Sequence, residues 1–250
     1  MNLYMLVEGR RTEVAVYPAW LQHELPFLRQ VDYPFQARQN CFYVVSGFGY
    51  PNLLHHIANC VREVNRYKQY DYLVICLDSD NLEVRDRIIE IENLLDKEHL
   101  WPKRAQIRVL VQKKCIETWF LGNRALQQVE PTAQLLPYWN AYNVFERDPE
   151  RMEKPIHYRG SIGDFHCHYL IHLLEAHGIR YSKRQPGAVC TPEYIEQLRL
   201  RTRETRHLRT LRNFFDFCDQ LREEYTLWKE AQDALEEDQL ETVIAEQRPC

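Results

Sequence analysis

The sequence predicts an α/β protein with a largely parallel sheet flanked by helices, followed by a mainly helical C-terminal appendage. Two observations carry this prediction. Apolar strand-like runs alternate with amphipathic helix-length segments up to about residue 130, and hydrophobic residues make up 45% of the 250 residues. Such alternation is typical of βαβ units and therefore of parallel sheets. We place the α/β core at residues 1–128, and an irregular and helical C-terminal region with an acidic tail at residues 129–250.

The hydrophobic pattern of the core predicts four strands, each followed by a helix. Short continuous apolar runs predict buried strands, and apolar residues spaced three and four apart predict helices. The predicted strands are 2–7, 41–46, 72–77 and 107–111, and the predicted helices are 13–29, 52–67, 81–98 and 116–126.

The second half of the chain lacks this alternation. Four prolines interrupt residues 130–160, which are predicted to be irregular. Residues 161–177 are predicted to form a helix that ends at Gly178, a natural C-cap. Residues 192–228 are predicted to be mainly helical, as one long helix or as two.

Charge is unevenly distributed along a chain whose net charge is −4. Six arginines and one acid lie between Arg199 and Arg212, whereas acids dominate from Glu223 onward and are densest at Glu236-Glu237-Asp238. The arginine-rich segment allows three interpretations: it follows a phosphate backbone, it docks an acidic surface of a partner or of the tail, or it is a solvated helix face.

The sequence predicts a cytoplasmic protein without a membrane segment. Its apolar runs are far too short to span a bilayer, and its start lacks the basic and apolar regions of a signal peptide. None of the eight cysteines belongs to a CxxC pair. We therefore expect reduced thiols that act as small core residues.

Acidic residues follow two of the predicted strands at the point where each strand ends. Glu8 and Gly9 follow the first strand, Glu13 comes about one helical turn later, and Asp78 and Asp80 follow the third. Open α/β sheets bind ligands at the carboxyl ends of their strands. Carboxylate oxygens are the ligands that Mg²⁺ and Mn²⁺ prefer, so these motifs predict a metal site for phosphate chemistry.

The motifs Val7-Glu8-Gly9, Thr12-Glu13 and Asp78-Ser79-Asp80 together resemble the Toprim domain, and most closely its OLD-like nuclease branch. The segments Cys115-Ile116-Glu117-Thr118-Trp119-Phe120 and Tyr181-Ser182-Lys183 are similar to small stand-alone prokaryotic Toprim-like proteins of anti-phage loci. The resemblance implies a Mg²⁺- or Mn²⁺-dependent nuclease that cleaves DNA or RNA, and a defence effector that works with an ABC-type ATPase partner.

The resemblance also implies roles for individual residues. The implied metal ligands are the carboxylates Glu8, Glu13, Asp78, Asp80 and Glu117. Glu8, Asp78 and Asp80 would also be catalytic, Glu8 as a general acid/base. Lys113 and Lys114 would neutralise charge on the scissile phosphate.

Four of these assignments have a structural alternative. Asp78 and Asp80 are also suited to a turn and a helix N-cap, and Glu13 and Glu117 to interaction with a helix dipole. The histidines between residues 166 and 177 permit a zinc site, but they also fit ordinary core and surface positions. For the whole protein, the alternatives are a non-catalytic Toprim-like interaction module and a Mg²⁺-dependent phosphotransferase or phosphatase.

Overall fold

The computed structural model describes residues 1–246, and side chains up to residue 236. Its centre is a parallel sheet of five strands in the order β2-β3-β1-β4-β5. The strands are β1 (Asn2–Val7), β2 (Arg29–Gln30), β3 (Cys41–Ser46), β4 (Tyr72–Asp78) and β5 (Gln106–Gln112). The predicted fold class and the four predicted strands are confirmed. The two-residue edge strand β2 was not predicted, because two polar residues carry no strand pattern.

Eight α-helices surround the sheet or extend from it in the described part of the chain. They are α1 (Thr12–Glu24), α2 (Asn52–Tyr67), α3 (Val84–Lys97), α4 (Ile116–Phe120), α5 (Leu136–Ala141), α6 (Ile162–Ala176), α7 (Pro192–Glu204) and α8 (Arg209–Glu246). None of the described helices combines the length and apolar character that crossing a membrane requires.

The two faces of the sheet have separate hydrophobic cores, because successive side chains of a strand point to opposite faces. In β1, Tyr4 and Leu6 pack with α2 and α3. Leu3, Met5 and Val7 pack on the other face with α1, α4, α6, α7 and α8. The C-terminal helices therefore share a continuous core with the sheet, and the domain boundary near residue 128 remains a prediction.

Some helix boundaries differ from the prediction for local reasons. α1 ends at Glu24 instead of residue 29, because a residue that precedes proline, as Leu25 precedes Pro26, disfavours helical geometry. α4 ends at Phe120, and a separate 3-10 turn covers Arg124–Gln127. The mainly helical segment from 192 is two helices, separated near Thr205.

Most of the described cysteines lie in the interior. Seven are free, and six of these are buried; Cys250 lies outside the described residues. Of the densest acidic cluster of the tail, only Glu236 has a described side chain, and it is exposed; the side chains of Glu237 and Asp238 lie outside the described part.

Candidate functional site

Glu8 lies where the central strand β1 ends and connects the two neighbouring strand ends. Its Oε2 accepts a hydrogen bond of 3.0 Å from the backbone N–H of Asp78. Its Oε1 accepts one of 3.3 Å from the N–H of Tyr50, in the loop after β3. Burial raises the pKa of Glu8, and the charge of Asp80 adds to this, although the two backbone donors oppose it. Glu8 therefore lies at the carboxyl edge of the sheet, as predicted.

Glu13 reaches the same edge from the first turn of α1. It is buried, and its Oε1 accepts a hydrogen bond of 3.0 Å from the N–H of Gly9. A Cβ atom at position 9 would lie 1.9 Å from Glu13 Oε2, so any other residue there would force the Glu13 carboxylate to move. Burial raises the pKa of Glu13 to about 7, and the charges of Glu117 and Glu8 contribute.

Asp78 ends β4 and carries an oxygen that is not used within the fold. Its Oδ1 is buried and has no hydrogen-bond donor among the described residues. Burial raises the pKa of Asp78 well above its usual value, and the nearby charges of Glu8, Glu13 and Glu117 raise it further. Buried polar atoms nearly always have a hydrogen-bond partner, so we expect this oxygen to bind a ligand or to carry a proton.

Glu117 comes from the first turn of α4, after β5, and is almost fully buried. Lys183 Nζ lies 3.5 Å from its Oε1, and the hydroxyl of Tyr181 donates a hydrogen bond of 3.3 Å to the same oxygen. The loop that carries both residues is anchored by Thr12, whose hydroxyl donates to the carbonyl of Lys183 at 3.2 Å. Lys183 was not predicted as a site residue, although its segment formed part of the resemblance.

These four carboxylates, which we call the carboxylate pocket, line one cavity of about 320 Å³. Arg10, Arg11 and Phe48 also line it, and all three are exposed. The structure thus brings Glu8, Glu13, Asp78 and Glu117 together, from one edge of the sheet and from parts of the chain more than a hundred residues apart.

Three predicted site residues lie outside the lining of this cavity. Asp80 is half exposed and has a left-handed backbone with φ +50°; Arg87 Nη2 lies 3.7 Å from its carboxylate. Lys113 and Lys114 each pair with a carboxylate at 2.7 Å, Glu83 for Lys113 and Glu153 for Lys114. The contacts lend these assignments no support, and they remain predictions.

The helix N-cap alternative for Asp78 and Asp80 is wrong. α3 begins at Val84, and its N-cap residue is Glu83, without a side-chain cap hydrogen bond. The two aspartates therefore end a strand and form the turn after it, and they do not cap the helix.

The donor set of the carboxylate pocket suits a divalent metal ion, but its side chains are not arranged as ready ligands. All four side chains are oxygen donors, and the buried Oδ1 of Asp78 is unpaired, which fits Mg²⁺ or Mn²⁺. Within the described residues, however, no three Asp, Glu, His or Cys side chains form a group that could hold a metal. Glu8 and Glu13 accept hydrogen bonds from backbone N–H groups, so metal binding would use their remaining lone pairs or a rotation of their carboxylates.

Searches for similar protein families, curated proteins and solved structures found no match for this chain. The features that bear on function are therefore the residues, charges and shape of the carboxylate pocket itself.

The histidine-rich segment of α6 has a structural explanation. His166 is buried between the hydroxyl of Thr118, 2.7 Å from its Nδ1, and the carbonyl of Met152, 3.1 Å from its Nε2. Burial lowers the pKa of His166 to about 3, so the ring is neutral at physiological pH. The described side chains of this segment do not form a zinc site.

Two of the six arginines of the arginine-rich segment hold the fold together. Arg201 is fully buried and donates to the carbonyls of Gly122, Val144 and Arg147. Arg199 pairs with Glu24 of α1 and with an aspartate of α8. The segment does not present a continuous basic face, since its first two arginines point into the protein, whereas Arg203, Arg206 and Arg209 are exposed.

Proposed function

We propose that this protein is a Mg²⁺- or Mn²⁺-dependent phosphodiester hydrolase that acts on nucleic acid, with a site of the Toprim type. The observation that carries the proposal is the convergence of Glu8, Glu13, Asp78 and Glu117 on one cavity at the carboxyl edge of a parallel sheet. This is the edge where open α/β sheets bind ligands.

Electrostatics supports a cationic ligand for this cavity. Four acids face it, and the ion pair that the structure shows within it is that of Lys183 with Glu117. The pKa values of Glu8, Glu13 and Asp78 are all raised, because burial and mutual repulsion disfavour their charged forms. A divalent cation would offset both the burial of these charges and their mutual repulsion. Acids with shifted pKa values in a cleft are typical of functional sites.

The residues of the pocket would serve as metal ligands and in acid/base catalysis, and Glu8 would take part in both. Asp78 and Glu8 would hold the cation, with Glu13 and Glu117 as further ligands; Asp80 would join them only by leaving Arg87. When bound, the metal would polarise the phosphate and lower the pKa of a bound water. Glu8 would act as the general acid/base.

Basic side chains of the protein would bind the phosphate. Lys183, which lies beside Glu117, would neutralise charge on a phosphate oxygen, the role that the resemblance implies for Lys113 and Lys114. Arg10 and Arg11 at the rim would attract the polyanion. An ABC-type ATPase partner and a role in anti-phage defence remain part of the proposal through the resemblance alone.

One observation favours the second candidate, a non-catalytic interaction module. Leu227, Trp228 and Leu235 of α8 are exposed on a segment in which every side chain from residue 226 to 236 is exposed. Exposed apolar side chains of this kind are typical of surfaces that bind another protein. A partner surface is also compatible with the hydrolase, so it does not by itself separate the two functions.

The test of the proposed function is a calorimetric Mn²⁺ titration of the wild type beside Asp78→Asn and the control Asp86→Asn. Asp86 is an exposed acid of α3, so its variant loses the same charge outside the pocket. We expect Asp78→Asn to weaken Mn²⁺ binding by at least about tenfold, and Asp86→Asn to bind like the wild type. Circular dichroism checks that both variants are folded.

Absence of Mn²⁺ binding in the wild type would contradict the hydrolase and favour the interaction module. If Mn²⁺ binds, loss of cleavage in folded Glu8→Ala would support the catalytic role of Glu8. Unchanged cleavage in that variant would exclude the role.

A further inference from the structure

Phe48 is an exposed aromatic residue at the rim of the carboxylate pocket, and its backbone is strained. Its side chain is 48% exposed, and its φ is +62°. A bulky residue rarely adopts this left-handed conformation, which costs free energy. Because the ring is not buried in the core, core packing does not compensate the cost.

The loop after β3 fixes Phe48 in this position from both sides. The N–H of Phe48 donates to Ser46 Oγ at 3.0 Å, and the N–H of Gly49 donates to the carbonyl of Glu8 at 2.8 Å. A Cβ atom at Gly47 would lie 2.8 Å from Leu53 Cβ, so the loop also packs closely against α2. The ring is therefore held by the same loop that contacts the candidate metal ligand Glu8.

A cation lies against the ring. The guanidinium carbon of Arg10 is 5.1 Å from the centroid of Phe48, and Arg10 lines the same cavity. A flat planar group that stacks on this face would replace the guanidinium, which could then pair with a phosphate oxygen. An aromatic face beside an arginine is a pattern by which proteins bind single-stranded nucleic acid, and here it lies above the cavity proposed to hold the metal and the scissile phosphate.

We propose that Phe48 is a stacking platform for a nucleobase next to the scissile phosphate, and that the pocket takes an unpaired nucleotide. This inference rests on the proposed hydrolase function and specifies its substrate class. A base inside a duplex is stacked on its neighbours, so it reaches Phe48 only from a single strand or after leaving the helix.

The test measures binding of two fluorescein-labelled strands by anisotropy in Ca²⁺. One is an oligothymidylate of about twelve nucleotides, and the other has the same backbone with abasic sugars. The proteins are the wild type, Phe48→Ala, Phe48→Trp and Phe35→Ala. Phe35 is the matched control, because it is also exposed but lies outside the cavity, stacked on Tyr33.

We expect Phe48→Ala to weaken thymidylate binding roughly 5- to 150-fold, the loss of one base–aromatic stack. Its binding of the abasic strand should be unchanged. Phe48→Trp should retain thymidylate binding, with its tryptophan fluorescence quenched on binding, and Phe35→Ala should match the wild type.

Equal affinity of Phe48→Ala and the wild type for thymidylate would overturn the proposal. It would also be overturned if Phe48→Ala lost as much affinity for the abasic strand as for thymidylate, or if the wild type bound neither strand. Mn²⁺ calorimetry on the same preparations separates the two proposals. If the wild type binds Mn²⁺ and any of these results is obtained, only the role of Phe48 is rejected. If the wild type does not bind Mn²⁺, the metal site itself is rejected.

Discussion

The protein contains two groups of carboxylates whose negative charges are balanced in different ways. In the first, which we call the arginine–carboxylate cluster, Arg199 and Arg222 pair with Glu24 and Asp219 at distances from 2.5 to 3.2 Å. It joins α1, α7 and α8. In the carboxylate pocket, by contrast, four acids face backbone N–H groups, one tyrosine and one half-exposed lysine.

The pKa values reflect this difference. Burial acts to raise the pKa of Asp219, but hydrogen bonds from Arg199 and Arg222 lower it below its usual value. Burial also acts on Asp78, and there the neighbouring charges are negative, so its pKa is raised. Matched charges stabilise a fold, whereas unmatched acids cost stability and are retained where a ligand supplies the missing charge.

The largest effect on stability is expected from a substitution that breaks the arginine–carboxylate cluster. Glu24→Ala leaves Arg199, which is mostly buried, with only Asp219 as a carboxylate partner in the cluster. We expect a loss of about 3 kcal/mol in the free energy of unfolding, the lower end of the cost of breaking a buried ion pair, because Arg199 loses one of its two carboxylate partners. Urea unfolding followed by circular dichroism measures it.

Two variants serve as references for Glu24→Ala. Glu92→Ala, at an exposed position of α3, should stay within about 0.5 kcal/mol of the wild type. Asp78→Asn should be neutral or stabilising in cation-free buffer, because it removes a repelled charge. If Asp78→Asn were as destabilising as Glu24→Ala, the contrast between the two groups would fail.

The next effect is a pH dependence of stability that originates in the carboxylate pocket. The pKa of Glu13 is raised from 4.5 to about 7, so the folded state binds more protons than the unfolded state between these values. The stabilising contribution is complete below pH 4.5 and is lost as pH rises through 7. It amounts to about 3 kcal/mol at most.

Glu13→Gln tests this pH dependence, since the amide keeps an oxygen for the N–H of Gly9 but does not titrate. The variant should gain stability relative to the wild type between about pH 5 and pH 8 in EDTA. A constant difference between the two proteins across this range would show that Glu13 is not the titrating group.

The fold was largely predictable because each of the four longer strands has its own local signal. The continuous apolar runs at Asn2–Val7 and Tyr72–Asp78 mark buried parallel strands, and Glu8 and Asp78 follow from where those strands end. The short helix α4 was less predictable, since its end at Phe120 depends on tertiary packing as much as on propensity.

The pocket could be predicted only in part, for a related reason. Lys183 reaches Glu117 through a loop that α6 and α7 bring back to the sheet, and one sequence holds no local sign of that contact. Lys113 and Lys114 follow a strand end as catalytic lysines would, yet their long side chains reach Glu83 and Glu153 instead. Position along the chain brought four of the five predicted acids to one cavity, but it could not give the direction of Asp80 or of the flexible lysines.

The smallest expected effect concerns Lys183, the cation that partly compensates the carboxylate pocket. A metal ion must compete with Lys183 for Glu117, whose Oε1 lies 3.5 Å from the ammonium group. Lys183→Gln should therefore tighten Mn²⁺ binding. The gain should be only roughly 2- to 5-fold, because the lysine is half exposed and solvent screens it.

Calorimetry on Lys183→Gln beside Lys103→Gln, an exposed lysine away from the pocket, measures this gain. The gain should shrink as salt is added, since screening already weakens the ion pair in the wild type. Weaker Mn²⁺ binding in Lys183→Gln would instead mean that the lysine holds Glu117 in place for the metal. The two groups of carboxylates would then both depend on their cations for structure, and the distinction between them would be one of degree.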